Sequence, residues 1–165
     1  MEDIMSKDKM KLLYEERLEL DKLIKDVRSI IRDVESYGKR LGAMAHFPTT
    51  GLLRGNLLGN IIRRRNHNIA NKNLDRVQEA IIDLRTRLLF YDQGLADLLT
   101  LPSKLTGFSE VNSKLADLAF RGKIKMKELD VYKAKAGLDK LLRRLVARRR
   151  KNDYEIKKIK EFKDL

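Results

Sequence analysis

The stretch that decides the fold is LDRVQEAIIDLRTRLLFYDQGLADL, residues 74–98. Its apolar side chains recur at alternating spacings of three and four residues without a miss, which is typical of a helix that packs along a narrow, coiled-coil-like seam. The seam residues are Leu74, Val77, Ile81, Leu84, Leu88, Tyr91, Leu95 and Leu98. Asn73 suits the N-cap position, with Asp75 in the first turn, while Gly94 weakens the end of the helix and Pro102 marks the exit. The pattern therefore predicts a helix that begins near Asn73.

A second long helix is predicted upstream, over residues 6–45. Its apolar side chains recur at helical spacing, and every seventh residue contributes to one stripe. The stripe consists of Leu13, Leu20, Val27, Val34 and Leu41. Forty residues of helix span about 60 Å. Because we expect only shorter helices elsewhere, we predict that part of this stripe meets another copy of the chain or another protein.

Residues 46–60 are predicted to connect these two helices, because Pro48 disfavours helix at the residue before it and the neighbouring residues permit a turn. Glycine then recurs every fourth residue, at Gly51, Gly55 and Gly59. If this part is helical, the glycines form a stripe that lets another backbone approach closely. If it is a flexible loop, the chain avoids the cost of about 1 kcal/mol per glycine in a helix interior. The sequence leaves both interpretations open.

Two further helices are predicted in the C-terminal part of the chain. A shorter one covers residues 109–120, and Gly122 is expected to turn the chain. The last long helix covers residues 124–151. Residues 152–165 follow as a basic C-terminal extension, into which the helix can continue as far as Phe162.

The last long helix is amphipathic. On a helical wheel its apolar arc spans about 140°, and most of its lysines and arginines lie on the opposite side. The arc holds Leu138, Leu141, Leu142, Leu145 and Val146. Arg149 falls inside the arc. We therefore expect the core contact to end near Val146 and the helix to project outward from there, with arginine on several sides.

Together these patterns predict an all-α fold, a bundle of about four to five long amphipathic helices in a single domain over residues 1–165. Hydrophobic residues make up 42% of the chain and charged residues 37%, which provides both a core and a heavily charged surface. There are only two prolines, and the glycines cluster, whereas an all-β domain needs turn residues at short, regular intervals. The long stripes leave oligomerisation as a way to complete the bundle.

Several classes of protein are disfavoured by what the sequence lacks. There is no cysteine, which excludes disulfides, thiolate nucleophiles and cysteine-based zinc sites and fits a reducing, cytoplasmic location. The N-terminus has no apolar core of the kind that a secretory signal needs. The longest apolar run, residues 88–91, is far shorter than the roughly 20 residues of a membrane span. We therefore expect neither secretion nor a bilayer-spanning segment.

No residue pattern predicts an enzyme, a cofactor or a metal site. The two histidines, His46 and His67, do not occur in a zinc-binding pattern, and we interpret both as ordinary loop residues. The glycines at 51–59 lack the Lys-Ser/Thr pair that closes a phosphate-binding P-loop. Neighbouring carboxylates such as Glu15 and Glu16 lie on a charge-balanced helix face, where they act as surface residues rather than as an acid/base pair.

The net charge of +13 comes from two regions of the chain. Residues 46–73 contain five basic and no acidic residues, and residues 101–165 contain nineteen basic and nine acidic residues. The other two segments, 1–45 and 74–100, are close to neutral. Uncompensated positive charge that is confined to parts of a chain is typical of a surface that binds a polyanion. Solvated surface is the alternative interpretation.

The densest basic cluster is residues 143–151, where six of nine positions are positively charged and five of those are arginine. The planar guanidinium group can hold a phosphate through two hydrogen bonds. A second cluster, residues 63–65, is followed by asparagines and a histidine that can contact sugars, phosphates or base edges. The predicted nucleic-acid-binding residues are Arg54, Arg63, Arg64, Arg65, Lys72, Lys140, Arg143, Arg144, Arg148, Arg149, Arg150 and Lys151.

Three functions are compatible with these features. We favour a non-enzymatic protein that binds DNA or RNA through the phosphate backbone as a subunit of a larger nucleoprotein assembly. The second hypothesis is a structural, scaffolding or adaptor protein whose helical seams and basic surfaces bind protein partners or a second copy. The third, a peripheral membrane protein, ranks lowest because the basic C-terminal helix has no Trp or Phe before Phe162. Nothing in the sequence distinguishes DNA from RNA.

Overall fold

The computed structural model describes residues 2–46, 57–105 and 114–163. It contains four helices in chain order: α1, Glu2–Ala45; α2, Leu57–Tyr91; α3, Gln93–Ala96; and α4, Lys114–Lys163. No strand occurs in these three segments. The predicted all-α bundle is therefore confirmed, with three long helices and one short one.

Both long partners of α1 run antiparallel to it. Near the start of α1, the Asn152 amide of α4 donates to the Leu13 carbonyl oxygen at 3.1 Å, whereas Val131 of α4 packs against Gly38 toward the end of α1. The end of α2 likewise lies beside the start of α1, because the Tyr91 hydroxyl donates to the Glu16 carboxylate at 3.0 Å. It follows that α2 and α4 are parallel to each other. The chain must therefore run back along the bundle after α2 ends and before α4 begins.

Residues 92–105 make this return. Asp92 caps α3, where its side chain accepts a hydrogen bond from the Leu95 amide at 3.3 Å. Beyond α3 the backbone is held by side chains of α2: the Asn71 amide and the main chain of Leu105 exchange two hydrogen bonds of 3.1 and 3.2 Å. The Gln78 amide donates to the Pro102 carbonyl oxygen at 2.7 Å. These hydrogen bonds satisfy backbone N–H and C=O groups that have no partner in a helix or a strand here.

The return segment also contacts α4. Ser103 donates a hydrogen bond to the Asp130 carboxylate and accepts one of 2.7 Å from the Lys127 ammonium group. Its apolar side chains are buried in the common core, namely Leu95, Ala96, Leu99 and Leu105. A short helix and an extended segment thus occupy the place that a fourth long helix takes in a four-helix bundle.

The stripe of α1 is buried within the single chain. Leu20, Val27, Val34 and Leu41 are fully buried, and Leu13 is 8% exposed. We expected this stripe to need another copy or another protein, but that premise is wrong, because α2 and α4 are 35 and 50 residues long rather than short. The stripe of α1 therefore gives no reason to expect oligomerisation.

The predicted start of α2 at Asn73 is also wrong. The helix begins at Leu57, and its inward positions before Leu74 are occupied by Gly59, Arg63, His67 and Ala70. These four residues continue the spacing of three and four, but none of them is a large apolar residue. The hydrophobic pattern therefore could not identify this first part of α2 as a helix. Gly59 lies within α2, while Gly51 and Gly55 lie outside the described residues.

In the C-terminal part, one continuous helix replaces the two that were predicted. Residues 114–163 form α4, which passes through Gly122 without a turn, while residues 109–113 lie outside the described part of the chain. The expectation that the core contact ends near Val146 is wrong too. Asn152 and Ile156 are both buried, so α4 keeps packing on the start of α1. Residues 152–163, predicted as an extension, belong to this helix.

Gly137 allows the return segment to lie directly on α4. A Cβ atom at this position would overlap the backbone carbonyl oxygen of Leu98, whereas a Cβ at Gly122 would have no heavy atom within 4 Å. We predict that Gly137→Ala lowers the free energy of unfolding by about 1–3 kcal/mol, because a backbone atom must move. Gly122→Ala is the matched control and should raise it by about 0.5–1 kcal/mol through helix propensity.

Urea unfolding followed by circular dichroism measures both changes. If Gly137→Ala were as stabilising as Gly122→Ala, the close packing of residues 92–105 on α4 would be contradicted.

Candidate nucleic-acid interface

The basic run of α4 divides into inward and outward side chains. Residues 140–151 contain seven lysines and arginines and no carboxylate. Arg148 and Arg149 are turned toward α1 and form ion pairs with its acidic residues. The other five are exposed. The run is therefore not one uniform surface: two of its arginines pair with carboxylates of α1, and the other five basic residues face outward.

Arg148 is held between two helices and the start of the return segment. Its Nε atom lies 3.1 Å from the Glu16 carboxylate, and its Nη1 atom lies 3.1 Å from the Asp92 carboxylate. Its guanidinium carbon stands 4.5 Å from the centre of the Tyr91 ring, within the range of a cation–π interaction. Although desolvation opposes it, the neighbouring acidic groups raise the pKa of Arg148. This side chain is engaged within the molecule.

Glu16 is the common acceptor of this network. It receives hydrogen bonds from the Tyr91 hydroxyl at 3.0 Å, from Arg148 at 3.1 Å and from the Asn152 amide at 3.2 Å. Burial opposes ionisation of the carboxyl group, but the three hydrogen bonds outweigh it and lower the pKa of Glu16. Burial and the hydrogen bond to Glu16 raise the pKa of Tyr91. The network joins α1, α2 and α4 at one end of the bundle.

Arg149 is paired in a similar way. Its Nε atom lies 2.6 Å from the Asp21 carboxylate and its Nη1 atom 2.5 Å from that of Asp153, which also pairs with Arg17 at 3.2 Å. The hydrogen bond to Asp21, with the charges of both carboxylates, raises the pKa of Arg149. Its position inside the apolar arc was the sequence signal for this inward orientation. We read that signal as the end of the core contact, whereas it marks a polar contact with α1.

The five outward cations form two rows. Lys140, Arg144 and Lys151 lie within about 40° of one another around the helix axis, at 100° per residue. Arg143 and Arg150 form a second row about 90° away. All five are exposed, and no carboxylate lies within 4 Å of them in the described part of the chain. We call these five residues the outward cations of α4.

The structure places the predicted residues of α2 elsewhere. Arg63 is buried, with 2% exposure, and its Nη1 atom lies 3.5 Å from the Asn60 side-chain oxygen, so its guanidinium group does not face solvent. Arg64, Arg65 and Lys72 are exposed. Arg54 lies outside the described residues.

The two basic clusters are not brought together. His67 of α2 and Lys127 of α4 line the same cavity of about 350 Å³, so this part of α2 lies beside the first part of α4. Lys140 is 13 residues farther along α4 than Lys127, which corresponds to about 20 Å. The outward cations of α4 are therefore a basic surface separate from the cluster on α2.

Sequence-based selection missed other exposed residues of the α4 face. Lys133 is exposed and continues the row of Lys140 by one further step of seven residues. Tyr132 and Tyr154 are exposed on the same side, with 70% and 67% of their surface accessible. Spacing by sevens along α4 was the available signal, since it identifies residues that share a row on a helix.

The described residues contain no group of three or more His, Cys, Asp or Glu side chains that could hold a metal ion. None of the helices that the structure describes has a stretch apolar and long enough to span a bilayer.

In comparisons with known proteins, no family model, no curated protein and no solved structure gave a significant match to this chain.

The Glu16 network predicts a specific dependence of stability on pH. Because the pKa of Glu16 is below its ordinary value of 4.5 in the folded chain, its contribution is present above pH 4.5 and is lost as the pH falls through the folded value. Glu16→Gln should therefore lower the free energy of unfolding at pH 7, by about 1 kcal/mol for a partly exposed pair. This difference from the wild type should shrink at pH 3.

Glu19→Gln is the control, since in the described part of the chain its carboxylate meets Lys22 alone, at 3.8 Å. We expect this change to have little effect at either pH in urea unfolding. An equal loss in both variants at pH 7 would mean that the network around Glu16 has no special role.

Proposed function

We propose that this chain is a non-enzymatic nucleic-acid-binding protein that contacts the phosphate backbone through the outward cations of α4. One observation carries the proposal. Five lysines and arginines lie exposed within 12 residues of a single helix, and no described carboxylate lies within 4 Å of any of them. Twelve residues of helix span about 18 Å, so these charges repel one another unless a counter-charge is bound.

The absence of partners here does not reflect a shortage of acidic residues. Elsewhere several cations pair with carboxylates of another helix: Arg87 with Asp26 at 2.7 Å, and Lys135 with Glu35 at 3.3 Å. Arg148 and Arg149, in the same run as the outward cations, have two carboxylates each. Acidic residues are thus within reach of this run, where they meet its two inward arginines. A polyanion such as nucleic acid supplies the missing counter-charge on the outer side.

The proposal also includes the compartment in which the protein acts and the assembly to which it belongs. A chain without cysteine and with a net charge of +13 suits a reducing, nucleic-acid-rich compartment, and we place it inside the cell. We also propose that it acts as one subunit of a nucleoprotein assembly. Exposed apolar residues on α2 and α4, such as Ile61 and Met126, support further contacts with partner proteins.

The proposal predicts a salt-dependent affinity that the outward cations control. If all five contact phosphates of a duplex, the logarithm of the association constant should fall with the logarithm of salt concentration at a slope of about −4.5. Changing Arg143, Arg144 and Arg150 together to Gln should reduce this slope to about −1.8 and weaken binding at low salt. Fluorescence anisotropy with a labelled nucleic acid over 50–200 mM salt measures both quantities.

The control is the combined change of Lys25, Arg28 and Arg32 to Gln on α1. These residues are also exposed and the change in net charge is the same, but residues 1–45 are balanced, with ten basic and ten acidic side chains. The control should keep a slope near that of the wild type. Equal effects of the two triple changes would leave only a general attraction by net charge, and the interface on α4 would be rejected.

A second candidate function is scaffolding through self-association. It is favoured by four large apolar side chains on the first half of α2 that are between 37% and 64% exposed and share one helix face with Arg65. They are Leu58, Ile61, Ile62 and Ile69. Faces of this kind commonly mark protein contacts. The occupant that we consider is the same face of a second copy, because isologous dimers are the commonest assemblies.

Self-association predicts a dimer mass in light scattering, and Ile61→Asp with Ile69→Asp should convert it to a monomer by placing charge in the contact. Ile82→Asp, at an exposed position on the second half of the same helix, should leave the dimer intact. A monomeric wild-type chain at high protein concentration would remove this candidate and would not affect nucleic-acid binding.

A further inference from the structure

We infer that the nucleic acid is B-form duplex DNA and that residues 140–151 of α4 lie in its major groove. One row of outward cations then faces each of the two phosphate backbones that border the groove. This inference rests on the proposed function and adds the class of nucleic acid and the mode of contact. It follows from the arrangement of the two rows, from what lies between them and from the rigidity of the helix.

The two rows can reach the two sides of the groove. Lys140, Arg144 and Lys151 lie about 90° around the helix from Arg143 and Arg150, which places the rows about 7–8 Å apart at the surface of a helix about 10–12 Å in diameter. The long lysine and arginine side chains extend outward from there. The major groove of B-DNA is about 12 Å wide and admits an α-helix. A helix seated in it has one phosphate backbone on each side. A helix in the groove therefore needs two rows of cations, one for each backbone, whereas a helix that crosses a single strand needs only one row.

The surface between the rows is small and free of negative charge. Ala147 is exposed and lies between the two rows, where its short side chain lets the helix backbone approach base edges. No Asp or Glu occurs from Lys140 to Asn152. The nearest carboxylate before this segment, Asp139, is engaged with Lys135 at 3.0 Å. Nothing in this stretch of α4 would repel a phosphate wall.

The segment is already helical and fixed before any ligand binds. Leu141 and Leu145 are fully buried on its inner side, and Arg148 and Arg149 attach that side to α1 and to Asp92. The outer half of the helix is therefore presented without a folding cost at the moment of binding. Twelve residues, about 18 Å, correspond to about five base pairs at 3.4 Å each. This is a length of helix that the curved groove can hold.

The same geometry disfavours the other nucleic acids. The major groove of A-form RNA is too deep and narrow for side chains to enter, so a double-stranded RNA would meet only one row at a time. Single strands bind mainly by stacking bases on aromatic side chains. There is no aromatic residue from Lys140 to Lys151, and the exposed Tyr132 and Tyr154 are about 33 Å apart along the helix.

A bulky neutral side chain between the rows tests the inference without changing the charge. Ala147→Trp should weaken binding to a labelled 20-base-pair DNA duplex of mixed sequence at least tenfold, because the ring blocks entry into the groove. Ala119→Trp is the matched control: it is exposed on the same outward face of α4 but lies 21 residues, about 30 Å, before the segment, so its affinity should stay within twofold of the wild type. Circular dichroism confirms that both variants are folded.

Two measurements on the wild-type chain complete the test. The RNA duplex of the same sequence should bind at least tenfold more weakly than the DNA duplex. The N7 atoms of guanine, which lie in the major groove, should be protected from methylation by dimethyl sulfate when the DNA duplex is saturated with protein.

The outcomes separate the two proposals. Equal binding of RNA and DNA duplexes, unprotected guanine N7 atoms, or an unchanged affinity of Ala147→Trp would each overturn the groove inference. Any of these results, with a steep salt dependence that the outward cations control, would leave backbone binding standing. Failure of the wild-type chain to bind any of the nucleic acids at 50 mM salt would overturn the proposed function as well.

Discussion

The antiparallel packing of α4 on α1 is the interaction on which the other features of the molecule depend. It buries the stripe of α1 and the inner face of α4, and it continues from Gly38 and Val131 to Leu13 and Asn152. Polar contacts add to it between the buried residues Leu145 and Ile156, since Arg148 and Arg149 meet carboxylates of α1 there. The orientation of the whole basic run follows from this packing: two arginines are fixed inward, and five cations are left facing outward.

Much of the fold was predictable because the large apolar residues of α1 and α2 keep a strict helical spacing. The stripe from Leu13 to Leu41 and the seam from Leu74 to Leu88 are buried as expected. The first half of α2 was missed because Gly59, Arg63, His67 and Ala70 take the inward positions. Hydrophobic pattern cannot detect a helix face built from such residues, and it cannot reveal that an extended segment will replace a helix.

The candidate interface was predictable only in part. Sequence located the density of basic charge on α4, but charge density alone does not say which side chains face solvent. That depends on the acidic residues of a helix more than 100 positions away, since Arg148 meets Glu16 and Arg149 meets Asp21. Helical phase distinguishes the inward pair from the outward cations once the depth of the α1 contact is known. Arg63, predicted as a phosphate ligand, lies instead at a buried position of α2.

The long separation between α1 and α4 has a consequence for how the molecule folds during its synthesis. Asn152 and Leu13 are 139 positions apart, so the contact order of this helix pair is high. When α1 leaves the ribosome, α2 is the only partner that soon follows. The side of α1 that α4 covers stays exposed until α4 has been made. Synthesis therefore passes through an intermediate with an open apolar surface, and chaperones are suited to protect a chain at this stage.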